Sequence, residues 1–139
     1  MEISAALDFA RPLHDGVLTT IRRNGRPQLS NINYQVEANG TIRISMTTDR
    51  AKYLNLARDP RASIHVTLPD FGQWVVLDAD ASLTPAAASI DDPTVEALVD
   101  LYRSVLGEHP DWDEYRAAMV TERRAVATLT PTYAYGQLR

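Results

Sequence analysis

The sequence of 139 residues has no cysteine, one lysine, two phenylalanines and two tryptophans, and each scarcity removes a class of function. Without cysteine there is no disulfide, no thiol nucleophile and no thiolate zinc site. Acidic residues outnumber basic ones 18 to 14, for a net charge of -4, so the chain lacks the clustered basic surface with stacking aromatics that nucleic-acid binding requires. No apolar run approaches the ~20 residues needed to span a bilayer. The opening stretch MEISAALDFARPL has neither a basic start nor a continuous apolar segment, and a cytoplasmic protein without membrane contact is expected. His14, His65 and His109 fall at no metal-ligand spacing, and no metal site is expected.

What is present suits one domain over residues 1–139, with 45% apolar residues and no linker, repeat or low-complexity stretch. A chain of this length buries roughly two-thirds of its unfolded surface and needs no crosslink to hold a core. Charge is distributed unevenly. Residues 1–66 hold nine basic and six acidic side chains, whereas 67–139 hold five and twelve, so an anionic ligand is expected in the first half.

The first half reads as strands. Val17-Leu-Thr-Thr-Ile-Arg22 is rich in β-branched residues and runs into Asn24-Gly25, the pair that a type I′ hairpin turn requires, with Leu29 to Val36 as the partner strand. After a second Asn-Gly pair, Thr41 to Thr47 alternates Ile42, Ile44 and Met46 with polar residues, which completes an expected three-stranded meander. Asp49 is placed to cap a helix from Arg50 to Arg58, ended by Asp59-Pro60. Ala62–Leu68 and Gln73–Leu83 read as two further strands. From Pro93, apolar residues recur at helical spacing to Gly107, and a second helix starts at Asp111. Arg124 to Leu129 is the last expected strand, and Pro131 to Arg139 is expected as a tail. Short antiparallel strands in this number point to a β-barrel with helices packed outside it.

Two stretches carry chemistry. In the first, Arg26, Gln28 and Ser30 share one side of an extended strand, a polar face suited either to a ligand cleft or to solvent. In the second, Ser45 and Thr47 share a side of their strand, and Arg50 and Lys52 open the next helix. Cations in a first helical turn oppose the helix dipole by roughly 0.3–1 kcal/mol each, so the pair either sits in solvent at that cost or meets an anion. Hydroxyls, cations and helix N–H groups together outline a phosphate site. The carboxylates Asp91, Asp92, Asp111, Asp113 and Glu114 are accounted for by helix capping. No P-loop, dinucleotide fingerprint or Gly-x-Ser-x-Gly elbow is present, so any enzymatic chemistry is expected to come from a cofactor.

At these residues the chain resembles the pyridoxamine 5′-phosphate oxidase-like split β-barrel superfamily, and within it the flavin/deazaflavin oxidoreductase B group. The shared pattern is Gly16-Val-Leu-Thr-Thr-Ile, Gly25-Arg-Pro-Gln-Leu-Ser-Asn31, Arg50-Ala-Lys-x-x-Asn-Leu56, Asp59-Pro-Arg-Ala-Ser63, Leu83-Thr-Pro85 and Gly107-Glu-His-x-Asp-Trp112. The resemblance implies a mainly β protein with peripheral helices, forming a homodimer with a cofactor cleft at each side of the interface. It implies coenzyme F420, with FMN as the alternative, and hydride transfer to a small conjugated substrate. A non-catalytic binder of flavin, haem or tetrapyrrole on the same barrel is a third reading. Carried over by position, Arg50 and Lys52 look like the phosphate-holding cations, with Ser45 and Thr47 beside them. Arg26, Gln28, Ser30 and Asn31 would line the cleft near the ring. Trp74, Tyr133 and Tyr135 are expected from the partner subunit, and Arg22, Arg23 and Arg58 beside the cofactor's anionic tail.

Overall fold

A computed structural model describes the chain from Met1 to Arg139. In chain order its elements are α1 (Ile3–Ala10), β1 (Asp15–Ile21), β2 (Pro27–Asn33), β3 (Gln35–Val36), β4 (Ile42–Thr47), α2 (Ala51–Arg58), β5 (Arg61–Thr67), β6 (Trp74–Leu83), α3 (Pro93–Leu106), α4 (Trp112–Thr121) and β7 (Arg124–Gln137). All seven strands form one antiparallel sheet in the order β2-β1-β5-β6-β7-β4-β3, curled into an open half-barrel. None of the helices is long and apolar enough to cross a membrane.

The expected meander is corrected by the pairing. The segment read as one strand from Leu29 to Val36 is two, since β2 pairs with β1 while β3 pairs with β4 at the opposite end of the sheet order. Tyr34 makes the break: its backbone N–H donates to the His14 carbonyl at 2.9 Å, and its buried hydroxyl donates to the Ala10 carbonyl at 2.7 Å. A ring anchored inward in this way takes its residue out of both ladders and opens the split between β2 and β4. Burial drives the Tyr34 hydroxyl pKa well above the ordinary tyrosine range, with Asp15 adding to it. Tyr34→Phe leaves the Ala10 carbonyl without this partner and is expected to cost about 1–2 kcal/mol, read from the denaturant midpoint.

The hairpin tip also differs from expectation. Only Gly25 has a positive φ, at +82°, so Asn24-Gly25 is not a two-residue I′ turn. Arg22 and Arg26 are instead joined by an N–H to carbonyl bond of 2.9 Å around a three-residue loop, and the Asn24 side chain accepts from the Arg26 N–H.

The concave side of the sheet holds the main core. Leu18, Ile42, Ile44, Met46, Ile64, Val66, Val75, Leu77 and Leu129 point into it, joined by Ala6, Leu7 and Ala10 of α1 and Leu56 of α2. On the convex side, α3 and α4 pack over β4 and the first half of β7 around Val95, Leu98, Val99, Met119 and Val126. Both helices start as expected, with Asp92 accepting from the Val95 N–H and Asp111 from the Glu114 N–H. Asp49 does not cap α2: Arg50 is the N-cap and makes no side-chain cap bond, so this helix start is left with cations and no counter-charge from its own first turn.

Candidate functional site

Alternation along the strands sorts the side chains. In β4, Ile42, Ile44 and Met46 are buried, which turns Arg43, Ser45 and Thr47 to the convex side. In β5 the same logic turns Ser63, His65 and Thr67 outward, and in β1 Asp15, Val17 and Thr19. Across the split between β2 and β4, these outward faces meet the C-terminal half of α3 and the inner side of α4. They enclose an open cavity of about 990 Å³.

The cavity has three kinds of wall. Leu101, Tyr102, Val105 and Leu106 of α3, with Tyr115 and Met119 of α4, make an apolar side. His14, Asp15, Asn31, Asn33, His65 and Thr67 make a polar side, where Asn33 donates to Asp15 at 2.5 Å and His14 Nδ1 lies 3.1 Å from the Tyr34 carbonyl. Ser45, Lys52, Glu122 and Arg124 close one end. Arg124 sits opposite Thr47 in the β4–β7 ladder, and its guanidinium donates to Ser45 Oγ at 3.2 Å and to Glu122 at 3.1 Å. Burial, then the charges of Arg50 and Arg124, lower the Lys52 pKa below the ordinary lysine value. Neither Arg50 nor Lys52 takes part in an ion pair, so this end presents positive charge that Glu122 and the nearby Asp49 offset only in part.

The expected residues divide among distinct places. Asn31, Ser45 and Lys52 line the cavity. Thr47 and Arg50 lie next to it in a smaller polar pocket of about 320 Å³ that shares Glu122 with the large one. Gln28 and Ser30 are half-buried on the same side of β2 as the buried Ile32, the side turned toward α2, and so on the face opposite Asn31. Arg26 is exposed at the hairpin tip. Of the arginines weighed for an anionic tail, Arg58 is engaged by the Ile21 carbonyl and Asn55, while Arg22 and Arg23 are exposed at that tip. Sequence reading missed Arg124. Its signal was available only through register, because a lone arginine at a strand start shows nothing until the strand is paired with Thr47.

A second surface adjoins the cavity. The outward face of β6 and the second half of β7 carry Trp74, Val76, Tyr133 and Tyr135, with Trp74 edge-on to Tyr135 at 6.2 Å and His65 5.8 Å from Trp74. No helix covers these rings, and Tyr133 and Tyr135 are 59% and 44% exposed.

A curled antiparallel sheet, split between its second and fourth strands and with helices over the gap, defines a split β-barrel. The family model described as pyridoxamine 5′-phosphate oxidase matches residues 5–137, and the chain belongs to that family. Similar solved structures include a conserved hypothetical protein, Rv2991 from Mycobacterium tuberculosis, at 23% identity and TM-score 0.75, covering 98% of this chain and 84% of that one. An F420 reductase is also 23% identical, with TM-score 0.69 and coverage of 95% and 94%. HutZ, the haem storage protein of Vibrio cholerae, is 16% identical with TM-score 0.69 and coverage of 97% and 94%. At these identities the likenesses establish the fold.

Proposed function

We propose that this protein is a coenzyme F420-dependent oxidoreductase, acting in the cytoplasm as a homodimer on a small conjugated organic substrate. The observation that carries the reading is the cationic end of the cavity, where Lys52 and Arg124 line the wall with Ser45, Arg50 and Thr47 line the adjoining pocket with Asp49, and neither Arg50 nor Lys52 is held in an ion pair. Three cations and two hydroxyls suit a phosphate or phosphodiester. The polar wall, with Asn31 and Asn33, offers amide donors and acceptors to a heterocycle, and Leu101, Val105 and Tyr102 give an apolar side for a planar substrate.

When bound, the deazaflavin would supply the hydride donor or acceptor. The residues of this chain hold, orient and shield it, since none is arranged as a nucleophile with a supporting base. Arg50, Lys52 and Arg124 would hold the phosphate with Ser45 and Thr47, and Asn31 would face the ring. Arg26, Gln28 and Ser30 stay in the proposal as cofactor-binding residues, although they lie off the cavity, at the hairpin tip and on the α2 side of β2, and single alanine substitutions separate their part from that of Asn31. A second copy over Trp74, Tyr133 and Tyr135 would cover the exposed rings and close the open side of the cavity.

FMN carries one phosphate and would use the same cations, so the discriminating measurement is a parallel fluorescence titration of the protein with F420 and with FMN at two salt concentrations. Tighter binding of F420, weakened by salt, is expected from a cationic end that reads a multiply charged ligand. Preference for FMN would make the protein a flavin enzyme of the same barrel. Binding of neither would remove both readings and turn attention to tetrapyrroles.

A further inference from the structure

An imidazole shapes the turn that leads from the α3–α4 connection into α4, beside the bonds that Glu108 makes to both helices. The backbone N–H of Asp111 donates to His109 Nδ1 at 2.9 Å. An amide N–H can only donate, so this nitrogen carries a lone pair, and the neutral ring has its proton on Nε2. The arrangement imitates an Asx turn, in which an Asn or Asp oxygen accepts from the N–H two residues on. It delivers the chain through Pro110 to Asp111, whose carboxylate caps α4. The imidazole also packs against three rings, with centroids 5.1 Å from Tyr102, 5.7 Å from Trp112 and 5.5 Å from Tyr115. Tyr102 and Tyr115 belong to the cavity wall, so the ring that fixes the connection also backs that wall.

We propose that His109 is a positioning residue for the cavity wall: its neutral ring holds the α3–α4 connection in place, and protonation releases that hold, making the wall's order pH-dependent. The protonated ring would turn an N–H toward the Asp111 N–H, and the bond that shapes the turn would be lost. Imidazoles exchange this proton between about pH 5 and 8.

Several charged and titratable groups lie around the ring. Glu108 accepts from the Trp112 indole at 2.9 Å and from Arg103 at 2.8 Å, and these bonds hold its carboxyl below the ordinary range. Arg103 lies over the Trp112 ring at 4.9 Å and stays charged. Burial pushes the Tyr115 hydroxyl up to about 12, and it donates to the Leu98 carbonyl at 3.0 Å. Asp111 accepts from the Glu114 N–H, and the charges of Glu122 and Arg124 act on Tyr115.

The test is an NMR titration of the full chain from pH 8 to pH 5, following the Asp111 amide, the Tyr102 and Tyr115 ring protons and the His109 Cε1 proton. Three proteins are compared: the natural chain, His109→Asn and His109→Ala. Asparagine supplies an acceptor for the Asp111 N–H but cannot gain a proton, and alanine supplies nothing.

In the natural chain the Asp111 amide and both tyrosine rings are expected to move with the His109 titration. Hydrogen exchange at Asp111, corrected for its intrinsic pH dependence, should rise about five- to tenfold on the acid side, the loss expected for one hydrogen bond. His109→Asn should stay protected at both ends of the range, and His109→Ala should exchange fast at both. An Asp111 amide that ignores the His109 titration would overturn the proposal. So would a pH dependence that survives in His109→Asn, which would assign the effect to His14 or His65. No cofactor is needed for this measurement, so its result is independent of which ligand the cavity takes.

Discussion

Replacing Arg50 and Lys52 together by alanine is expected to weaken cofactor binding by about 2–5 kcal/mol, roughly thirtyfold to several thousandfold in Kd. The size follows from where the two charges sit. Lys52 lines the end of the cavity and is partly desolvated, and Arg50 lies one pocket away with no carboxylate paired to it. The same substitutions should leave the unliganded fold intact, because they remove mutually repelling cations from an uncapped helix start. A fluorescence titration alongside a thermal melt reads both effects. Unchanged affinity in the double variant would displace the phosphate site from this end of the cavity.

The pH dependence of that binding has a definite sign. In the free protein the Lys52 pKa is lowered, first by burial and then by Arg50 and Arg124. A bound phosphate favours the ammonium and raises the pKa again. Affinity is therefore full while the free-state ammonium is charged, and it declines as pH rises through the lowered pKa. Between the two pKa values binding takes up protons. Lys52→Arg, which stays charged throughout, should flatten this alkaline decline.

Gly136→Ala is expected to be the most damaging single methyl in the chain. Gly136 has φ +153°, and a Cβ placed there would meet the Trp74 carbonyl oxygen and come within 2.8 Å of Val75 Cα. Those obstacles are backbone atoms of the neighbouring strand, so no rotamer change relieves them. Strain of about 1–3 kcal/mol from the dihedral adds to an overpacking cost of similar size. The informative control is Gly25→Ala at the hairpin tip, where φ is also positive but no atom lies within 4 Å of the added methyl. Gly25→Ala should cost about 1 kcal/mol, well below Gly136→Ala, in the same denaturant titration. Equal costs would mean that β6 and β7 give way without resistance at their paired ends.

The strands legible in the sequence were those with one buried face. The alternation of Ile42, Ile44 and Met46, and of Ala62, Ile64 and Val66, is the burial pattern found in β4 and β5. Helices α3 and α4 were legible through Asp92, Pro93 and Asp111, whose side chains and ring shape make the caps seen. Helix α1 was not legible: it spans eight residues, has no side-chain cap and no acidic first turn, and gains its stability from Ala6, Leu7 and Ala10 in the core. The break at Tyr34 escaped notice because a tyrosine fits a strand pattern, and only its hydroxyl contact with Ala10 marks it as an anchor. At the cavity, Ser45 and Lys52 could be named from spacing, and Asn31 only from the family resemblance. Arg124, His14 and His65 arrive there through strand pairing and curl, which no local pattern encodes.

The tail that was expected after Leu129 is the second half of β7, and the reason for that misreading has a wider consequence. Alanines 125 and 127 and Leu129 face the core, yet further along it is Ala134 that is buried, while Tyr133 and Tyr135 face outward. An odd set of inward residues becomes an even set because Ala79 pairs with Pro131 and Asp78 with Tyr133, which leaves Thr132 as one extra residue in the ladder. This strand therefore keeps a reading frame. Deleting Thr132 would leave Pro131 opposite Ala79 and Tyr133 opposite Asp78 and so keep both tyrosines outward, whereas a ladder that ran through Thr132 without the bulge would turn both tyrosines into the core and Ala134 out of it. The bulge at that point, more than the identity of the residue that fills it, decides which side of the sheet carries the aromatic face.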